Sequence, residues 1–316
     1  MNVLAVGQMT LDVPIGPVPD NILSMEKAEI EPVNITTGGD ALNVAITLAK
    51  LGASAGIVGR VGDDLNGRIV LEQSAAKSVD TGHVIIDGRF PTAVSYLLLD
   101  KNGEKHSLSN TAIYHELCAE DVPDEAIQNA GILFFGSAFQ MKQMDDGGIA
   151  KLFSRAHRFG KLTAMDAAIG DDIPKREALL EKLEPVFEET DIFIPSYKEA
   201  SYLADESRVE SIAAFFDKYG IGIFGIKLGS DGCYMNDHGN EFFLPCFSDF
   251  VPVDTTGAGD SFMGGFLRGL TEGWNVRTSA VFASAVAAHN IARKGATGGV
   301  PDFETVLRFL EQKRIQ

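Results

Sequence analysis

Basic residues are scarce in this sequence: 27 Lys and Arg face 44 Asp and Glu, a formal charge of -17 over 316 residues. Long-range electrostatics of that sign repel nucleic acid and anionic membrane, so a small anionic ligand needs local help to bind. Cysteine is scarce too. Cys118, Cys233 and Cys246 are odd in number and scattered, with no CxxC pair and no histidine at metal-ligand spacing, which argues against a disulfide framework or zinc site and suits a reducing compartment. The opening "MNVLAVG" passes straight into an apolar run of strand length, without a basic segment, a cleavage site or a long apolar tract. Neither export nor membrane insertion is expected, and the cytoplasm is the expected location. Also absent is GxxxxGK[ST], and Gly257 and Gly259 lack the following glycine of a dinucleotide fingerprint, which argues against a P-loop NTPase and a nicotinamide-dependent dehydrogenase.

What is present reads as a folded α/β chain, with 45% hydrophobic and 22% charged residues. Strand-like apolar runs recur at Val3 to Gly7, Ala55 to Gly59, Gly131 to Gly136, Lys161 to Asp166, Asp191 to Pro195 and Gly222 to Lys227. Helical patterns lie between them, such as Ala41 to Leu51 and Ile149 to Phe159, each stopped by a glycine. This alternation predicts a three-layer α/β/α sandwich with a mostly parallel central sheet. Two segments break the rhythm: the proline-rich Val13 to Val33, and Thr92 to Asn110, which reads as strand, Lys101-Asn102-Gly103 turn, strand. They predict a small β lid, built from segments 13–36 and 89–112 of a single domain spanning 1–316. Helices are expected at Ala258 to Leu270, Val276 to Ala292 and Phe303 to Gln312.

The densest chemical signal is "DTTGAGDSFMGGF", Asp254 to Phe266. A helix amino terminus exposes unpaired N–H groups and a partial positive charge, and small residues let a phosphate approach them. Gly257, Ala258 and Gly259 meet that requirement. Asp260, in the helix's first turn, then sits where it can take a proton from an attacking hydroxyl while the amides stabilise the transferred phosphoryl group. Asp254 and Asp260 could each be ordinary helix-end acids, but a cap requires neither a Gly-Ala-Gly turn nor two threonines before it.

The string resembles the carboxyl-terminal signature of the PfkB/ribokinase family of carbohydrate kinases. "TTGGDALNVAITLAKLG" (Thr36 to Gly52) is similar to that family's diglycine signature, and "VGRVGDDLNG" (Val58 to Gly67) to the segment that follows it. The resemblance runs from Asp12 to Pro301 and implies a ribokinase-like fold that transfers a phosphoryl group from ATP to a hydroxyl of a sugar or sugar acid. A nucleoside kinase and a catalytically silent sugar-binding protein on the same scaffold are the alternatives. "GGDALN" is closer to the style of 2-keto-3-deoxygluconate kinases than to that of fructokinases.

On the acceptor side Gly38 and Gly39 let a polyol pack against backbone, and Asp40 and Asn43 lie one helical turn apart. Asp12, placed at the end of the first strand, and Gly39, Asp40 and Asn43 bind sugar hydroxyls by resemblance, with Asn110 as a further candidate. On the donor side Mg²⁺ calls for oxygen ligands. "PSYKEA" puts Glu199 where the family's Asn-x-x-Glu motif carries its magnesium-linked glutamate, with Ser196 in place of the asparagine. "KLGSDG" resembles the strand-end loop beside the nucleotide, which brings in Gly229 and Gly232. Lys227, where a small residue is more usual, either approaches the phosphates or stays on the surface. Thr255 and Asn290 complete the nucleotide set, with His289 beside the latter. "RKGATGGVP" and the start of "DTTGAGD" resemble a monovalent-cation site, K⁺ by expectation, through Asp254, Thr256, Arg293 and Gly295, with Gly299 where serine is frequent. A homodimer paired through the lid is expected, because strand edges such as "SYLLL" are apolar enough to need cover.

Overall fold

The computed structural model describes residues 1–101, 105–170 and 175–313. Of the expected Lys101-Asn102-Gly103 turn, Asn102 and Gly103 lie outside the described residues. The strands are β1 (Val3–Val6), β2 (Thr10–Ile15), β3 (Thr36–Gly38), β4 (Ala55–Val58), β5 (Arg60–Gly62), β6 (Ile85–Asp87) and β7 (Val94–Leu99), then β8 (Lys105–Asn110), β9 (Ile132–Ala138), β10 (Leu162–Ala167), β11 (Ile192–Phe193), β12 (Ile223–Lys227), β13 (Cys233–Asp237) and β14 (Asn240–Leu244). The helices are α1 (Asp40–Lys50), α2 (Leu65–Ala76), α3 (Asp124–Gln128), α4 (Ile149–Arg158), α5 (Arg176–Phe187), α6 (Tyr197–Ala204), α7 (Val209–Asp217), α8 (Ala258–Thr271), α9 (Val276–Asn290) and α10 (Phe303–Gln312).

An eight-stranded sheet runs β14-β13-β12-β11-β10-β9-β1-β4. From β12 to β4 every neighbouring pair is parallel, and these strands are the six apolar runs read from the sequence. Strand alternation sorts their side chains onto two faces. Leu4 and Val6 of β1 join the cluster built with Leu152 and Phe153 of α4 and Phe216 of α7, whereas Val3 and Ala5 join the one built with Leu42 and Leu48 of α1 and Phe266 of α8. The three-layer sandwich follows, with helices on both faces of a mostly parallel sheet. The antiparallel edge β13–β14 was not expected. Its turn is His238-Gly239, both with positive φ (49° and 89°), the primed two-residue hairpin that keeps the twist of its strands.

Helix α8 lies closely against both neighbours. A Cβ on Gly264 would stand 2.6 Å from Thr47 Cγ2 of α1, and one on Gly265 would stand 2.9 Å from Ala283 Cα of α9. Small residues therefore fix how far the amino end of α8 projects over the sheet.

The lid is a four-stranded sheet, β3-β2-β7-β8. Asp12 belongs to β2 and so sits within this sheet, not at the end of β1 as expected. In β7 and β8 the register pairs Ser95 with Ser109 and Leu97 with Ser107 on one face, and Tyr96 with Leu108 on the other. Tyr96 and Leu108 are 46% and 63% exposed.

Candidate active site

The parallel strands end on one side, and their last residues make a floor: Ser137 in β9, Asp166 in β10 and Lys227 in β12. Crevices outside the carboxyl ends of such strands are where α/β sheets bind ligands. Here the lid closes over the floor to leave a cleft of about 420 Å³, lined among others by Asp12, Gly39, Asp40, Asn43 and the run Thr255 to Asp260.

Gly257 caps α8 in the left-handed conformation (φ 71°, ψ 10°), and a Cβ there would come within 2.1 Å of the Ala296 carbonyl oxygen. Only glycine makes this turn, and the turn aims the first amides of α8 into the cleft. The Ala258 N–H is directed to the Thr255 carbonyl at 3.2 Å, so it is spent within the turn and leaves the expected anion-binding set. The N–H groups of Gly257, Gly259 and Asp260 have no backbone acceptor among the described residues.

Asp260 Oδ2 accepts a hydrogen bond of 2.8 Å from Asn43 Nδ2, and one turn earlier Asp40 Oδ2 accepts from Ser137 Oγ at 2.9 Å. Loss of water raises the Asp260 carboxyl well above the usual carboxylate range, and repulsion from Asp40 adds to this against the lowering bond from Asn43. Burial raises Asp40 in the same way. Asp12 lies over Gly38, where a Cβ would meet its Oδ2 at 2.1 Å, and burial pushes its carboxyl up to about 6 despite Lys105 nearby.

Below the amide turn Lys227 forms an ion pair with Asp166, both largely shielded from solvent. A Cβ on Gly259 would meet Lys227 Nζ at 3.2 Å, so the ammonium lies directly behind the turn. Burial pulls its proton affinity down, but Asp166, Glu199 and Asp260 outweigh burial and hold it charged. Lys227 is thus no surface lysine. Ser196 and Glu199 form a reciprocal cap on α6: Ser196 N donates to Glu199 Oε2 at 2.7 Å, and Glu199 N to Ser196 Oγ at 3.4 Å. The carboxylates of Asp166 and Glu199, both near enough to Lys227 to act on its charge, are the type of hard oxygen donor that Mg²⁺ takes.

The sequence pattern of the pfkB family carbohydrate kinase matches residues 2–302. The chain belongs to the pfkB family of carbohydrate kinases. It is 30% identical over 294 residues to the ATP-dependent ribose-1-phosphate kinase of Halopiger xanaduensis, covering 91% of this chain and 90% of that protein. It is 27% identical over 301 residues to the 2-dehydro-3-deoxygluconokinase of Bacillus subtilis, covering 90% of each. Among solved structures, the ribokinase from Thermotoga maritima matches with a TM-score of 0.83 at 26% identity, over 98% of this chain and 99% of that one. Kinase action on carbohydrate is what these relatives and the family share, and the first of them is ATP-dependent.

Several expected residues take other places in the kinase. Asn290 is fully buried, its Nδ2 donating to the Ala296 carbonyl at 2.8 Å and its Oδ1 accepting from Gly299 N at 3.0 Å, so it braces the Arg293 to Pro301 loop and cannot line a nucleotide pocket. His289 packs between Phe250 and Phe309, with ring centroids 4.3 and 5.0 Å away. Asn110 shares the outward face of β8 with Leu108, and its Oδ1 accepts from Ala112 N at 3.4 Å, closing a local turn; its neighbour Ser109 lines the cleft. Asp254 Oδ1 and Oδ2 accept from Thr256 N and Gly295 N at 2.9 and 2.8 Å, strapping together the two loops expected to form the cation site. Asp166 was not singled out in the sequence, although an acid closing an apolar strand run was its signal. Also missed was a second cavity of about 660 Å³ between Leu244 to Asp249 and α9, lined by Asn275, Arg277, Val281 and Ser284. The Gly229 to Gly232 loop borders it, since Cys246 Sγ donates to the Ser230 carbonyl at 2.8 Å and a Cβ on Gly232 would strike the Leu244 carbonyl.

Asp12 yields a test. With a folded pKa of about 6 against an ordinary 3.8, the folded kinase holds this proton more tightly than the unfolded chain does. Its contribution therefore favours the fold below about pH 4 and is lost as pH rises through about 6. Asp12→Asn is expected to stabilise the ligand-free kinase at pH 8 by about 1–3 kcal/mol, to do nothing at pH 4, and to weaken acceptor binding. Thermal melts at both pH values check it; an unchanged midpoint at pH 8 contradicts the assignment.

Proposed function

We propose that the kinase phosphorylates a hydroxyl of a sugar or sugar acid, with Asp260 as general base. The observation that carries this reading is Asp260 itself: a carboxyl of raised proton affinity, at the edge of an amide turn, facing a polar cleft beneath a lid. Asp12 and Asp40 accept hydrogen bonds from acceptor hydroxyls, as does Asn43 Oδ1, a buried atom with no partner among the described residues. Asp260 takes the proton of the attacking hydroxyl as its oxygen bonds to the γ-phosphorus and the bond to the leaving ADP oxygen breaks. The N–H groups of Gly257 and Gly259, with Lys227 behind them, meet the charge on the equatorial oxygens. The second cavity, adjoining the Gly229 to Gly232 loop, takes the nucleobase, and Asp166 and Glu199 would hold Mg²⁺, which would neutralise phosphate charge. A ribose-1-phosphate kinase and a 2-dehydro-3-deoxygluconokinase among the relatives favour a sugar derivative over a nucleoside.

Asp260→Asn keeps the size and much of the hydrogen bonding while removing the base. Its kcat is expected to fall by about 10²–10⁴-fold with ATP affinity and thermal stability retained. A variant retaining more than about half of the wild-type kcat on its acceptor would remove Asp260 from the chemistry.

Backbone carbonyls of Asp254, Thr256, Arg293 and Gly295 lie in the two strapped loops and suit K⁺, which would order the amide turn without touching substrate. Faster turnover in K⁺ than in Na⁺ is expected; equal rates in K⁺, Na⁺ and tetramethylammonium tell against the site. The exposed Tyr96 and Leu108 give the lid an outward apolar face for a second copy. Light scattering should find a dimer at micromolar concentration that Leu108→Glu dissociates, and a monomeric wild type refutes the pairing.

A further inference from the structure

The concave face of the lid carries a cation that this mechanism leaves without a role. Strand alternation brings Ser95, Leu97, Lys105, Ser107 and Ser109 to the cleft, and all of them line it. Ser95 Oγ and Ser109 Oγ are 2.9 Å apart, so the two strands present joined hydroxyls. Lys105 Nζ reaches across to Thr256 Oγ1 at 3.5 Å, next to the amide turn. Among the described residues no carboxylate forms an ion pair with it, although Asp12, Asp40 and Asp254 all feel its charge.

We infer that the acceptor carries an anionic group, phosphate or carboxylate, and that Lys105 with the hydroxyls of Ser107 and Ser109 holds it. The inference rests on the kinase reading of the Asp260 cleft and narrows its substrate class. A neutral polyol is served by hydroxyl partners alone, which Asp12, Asp40 and Asn43 supply. Lys105 is exposed in the ligand-free cleft, and an anion seated there would meet its ammonium with a counter-charge where a neutral hydroxyl would not. The chain as a whole, at -17, repels anions at long range, so an anionic acceptor can be held only where a local cation reverses the sign. Serine hydroxyls flanking that cation donate to the same anionic oxygens, and charge-assisted bonds are the stronger kind. The acids of the floor forbid the reverse placement. The acceptor is thereby oriented, its anionic end toward β8 and Thr256 and its reacting hydroxyl toward Asp260.

The test is calorimetric binding without ATP, using pentose 1- and 5-phosphates and six-carbon aldonic and 2-keto-3-deoxy acids, each against its uncharged parent sugar. At least one anionic member should bind about tenfold or more tightly than its parent, with a preference that shrinks as salt rises. The phosphate and carboxylate arms separate the two sources of charge. Lys105→Met should abolish the preference while leaving the parent's affinity unchanged, and Lys105→Arg should retain most of it. Equal binding of charged and neutral members, binding of neither, or equal weakening of both by Lys105→Met overturns the inference. Coupled turnover then separates it from the kinase reading. If Lys105→Met lowers kcat on neutral and charged acceptors alike with KM unchanged, the lysine serves the transferred phosphoryl group; the inference fails and the kinase stands. If charged members bind through Lys105 yet none is phosphorylated, the kinase reading of the cleft fails and the anion site stands.

Discussion

The floor of the cleft depends on one buried charge, Lys227. Asp166 pairs with it, and Glu199 and Asp260 both contribute to keeping it protonated. Asp40, a little further off, is also lowered by it. Remove that ammonium and several carboxyls would share a poorly hydrated space, which they can do only by binding protons or by moving apart. Either response disturbs Asp260, whose proton affinity burial and Asp40 already raise. The lysine thus offsets the mutual repulsion of these acids while standing behind the Gly257 to Gly259 turn.

The same crowding explains why the lid bears on the chemistry beyond simple cover. Asp12 reaches the cleft from β2 and Lys105 from β8, so the lid sets one acid and one cation over a floor already rich in acids. The acid suits hydroxyls and the cation suits an anion. A lid composed only of serines would exclude water equally well, but it would not orient what it covers. Burial of Asp12 is unfavourable above about pH 6, and a folded protein keeps such a group where a ligand later satisfies it.

Much of the architecture was legible because it rests on local periodicity. The six parallel strands are short apolar runs, and their helices carry amphipathic patterns ended by glycines, so strand and helix follow from spacing alone. The β13–β14 hairpin escaped notice although His238-Gly239 is the kind of pair that a primed turn takes. A motif concentrates the run Gly257 to Asp260, and the fold places that run on the cleft wall. Candidate residues were misread where only facing decides: Asn110 and Ser109 are adjacent in sequence, and a single step along β8 exchanges cleft for exterior. Asn290 has the right helix and the wrong direction, because its amide completes the hydrogen bonding of a buried loop. Asp166 carries no motif at all. Its pairing with Lys227 comes from standing near the end of β10, two strands away from β12, a relation set by sheet order.

That distinction explains how the surroundings of Asp260 are assembled. Asn43 and Asp260 are 217 residues apart in the chain and 2.8 Å apart in space. The bond exists because α1 and α8 lie against each other, which the missing side chain of Gly264 permits, and because Gly257 turns α8 so that its first residues face the strand ends. Asp40 shares a helix with Asn43 and raises the proton affinity of Asp260 that Asn43 lowers. One helix thus supplies both the repulsion and the restraint, and a shift of α8 by one turn would uncouple them. The basicity of Asp260 is therefore a property of helix packing more than of the residue, and the glycines that seem to concern only packing are part of how the acid is tuned.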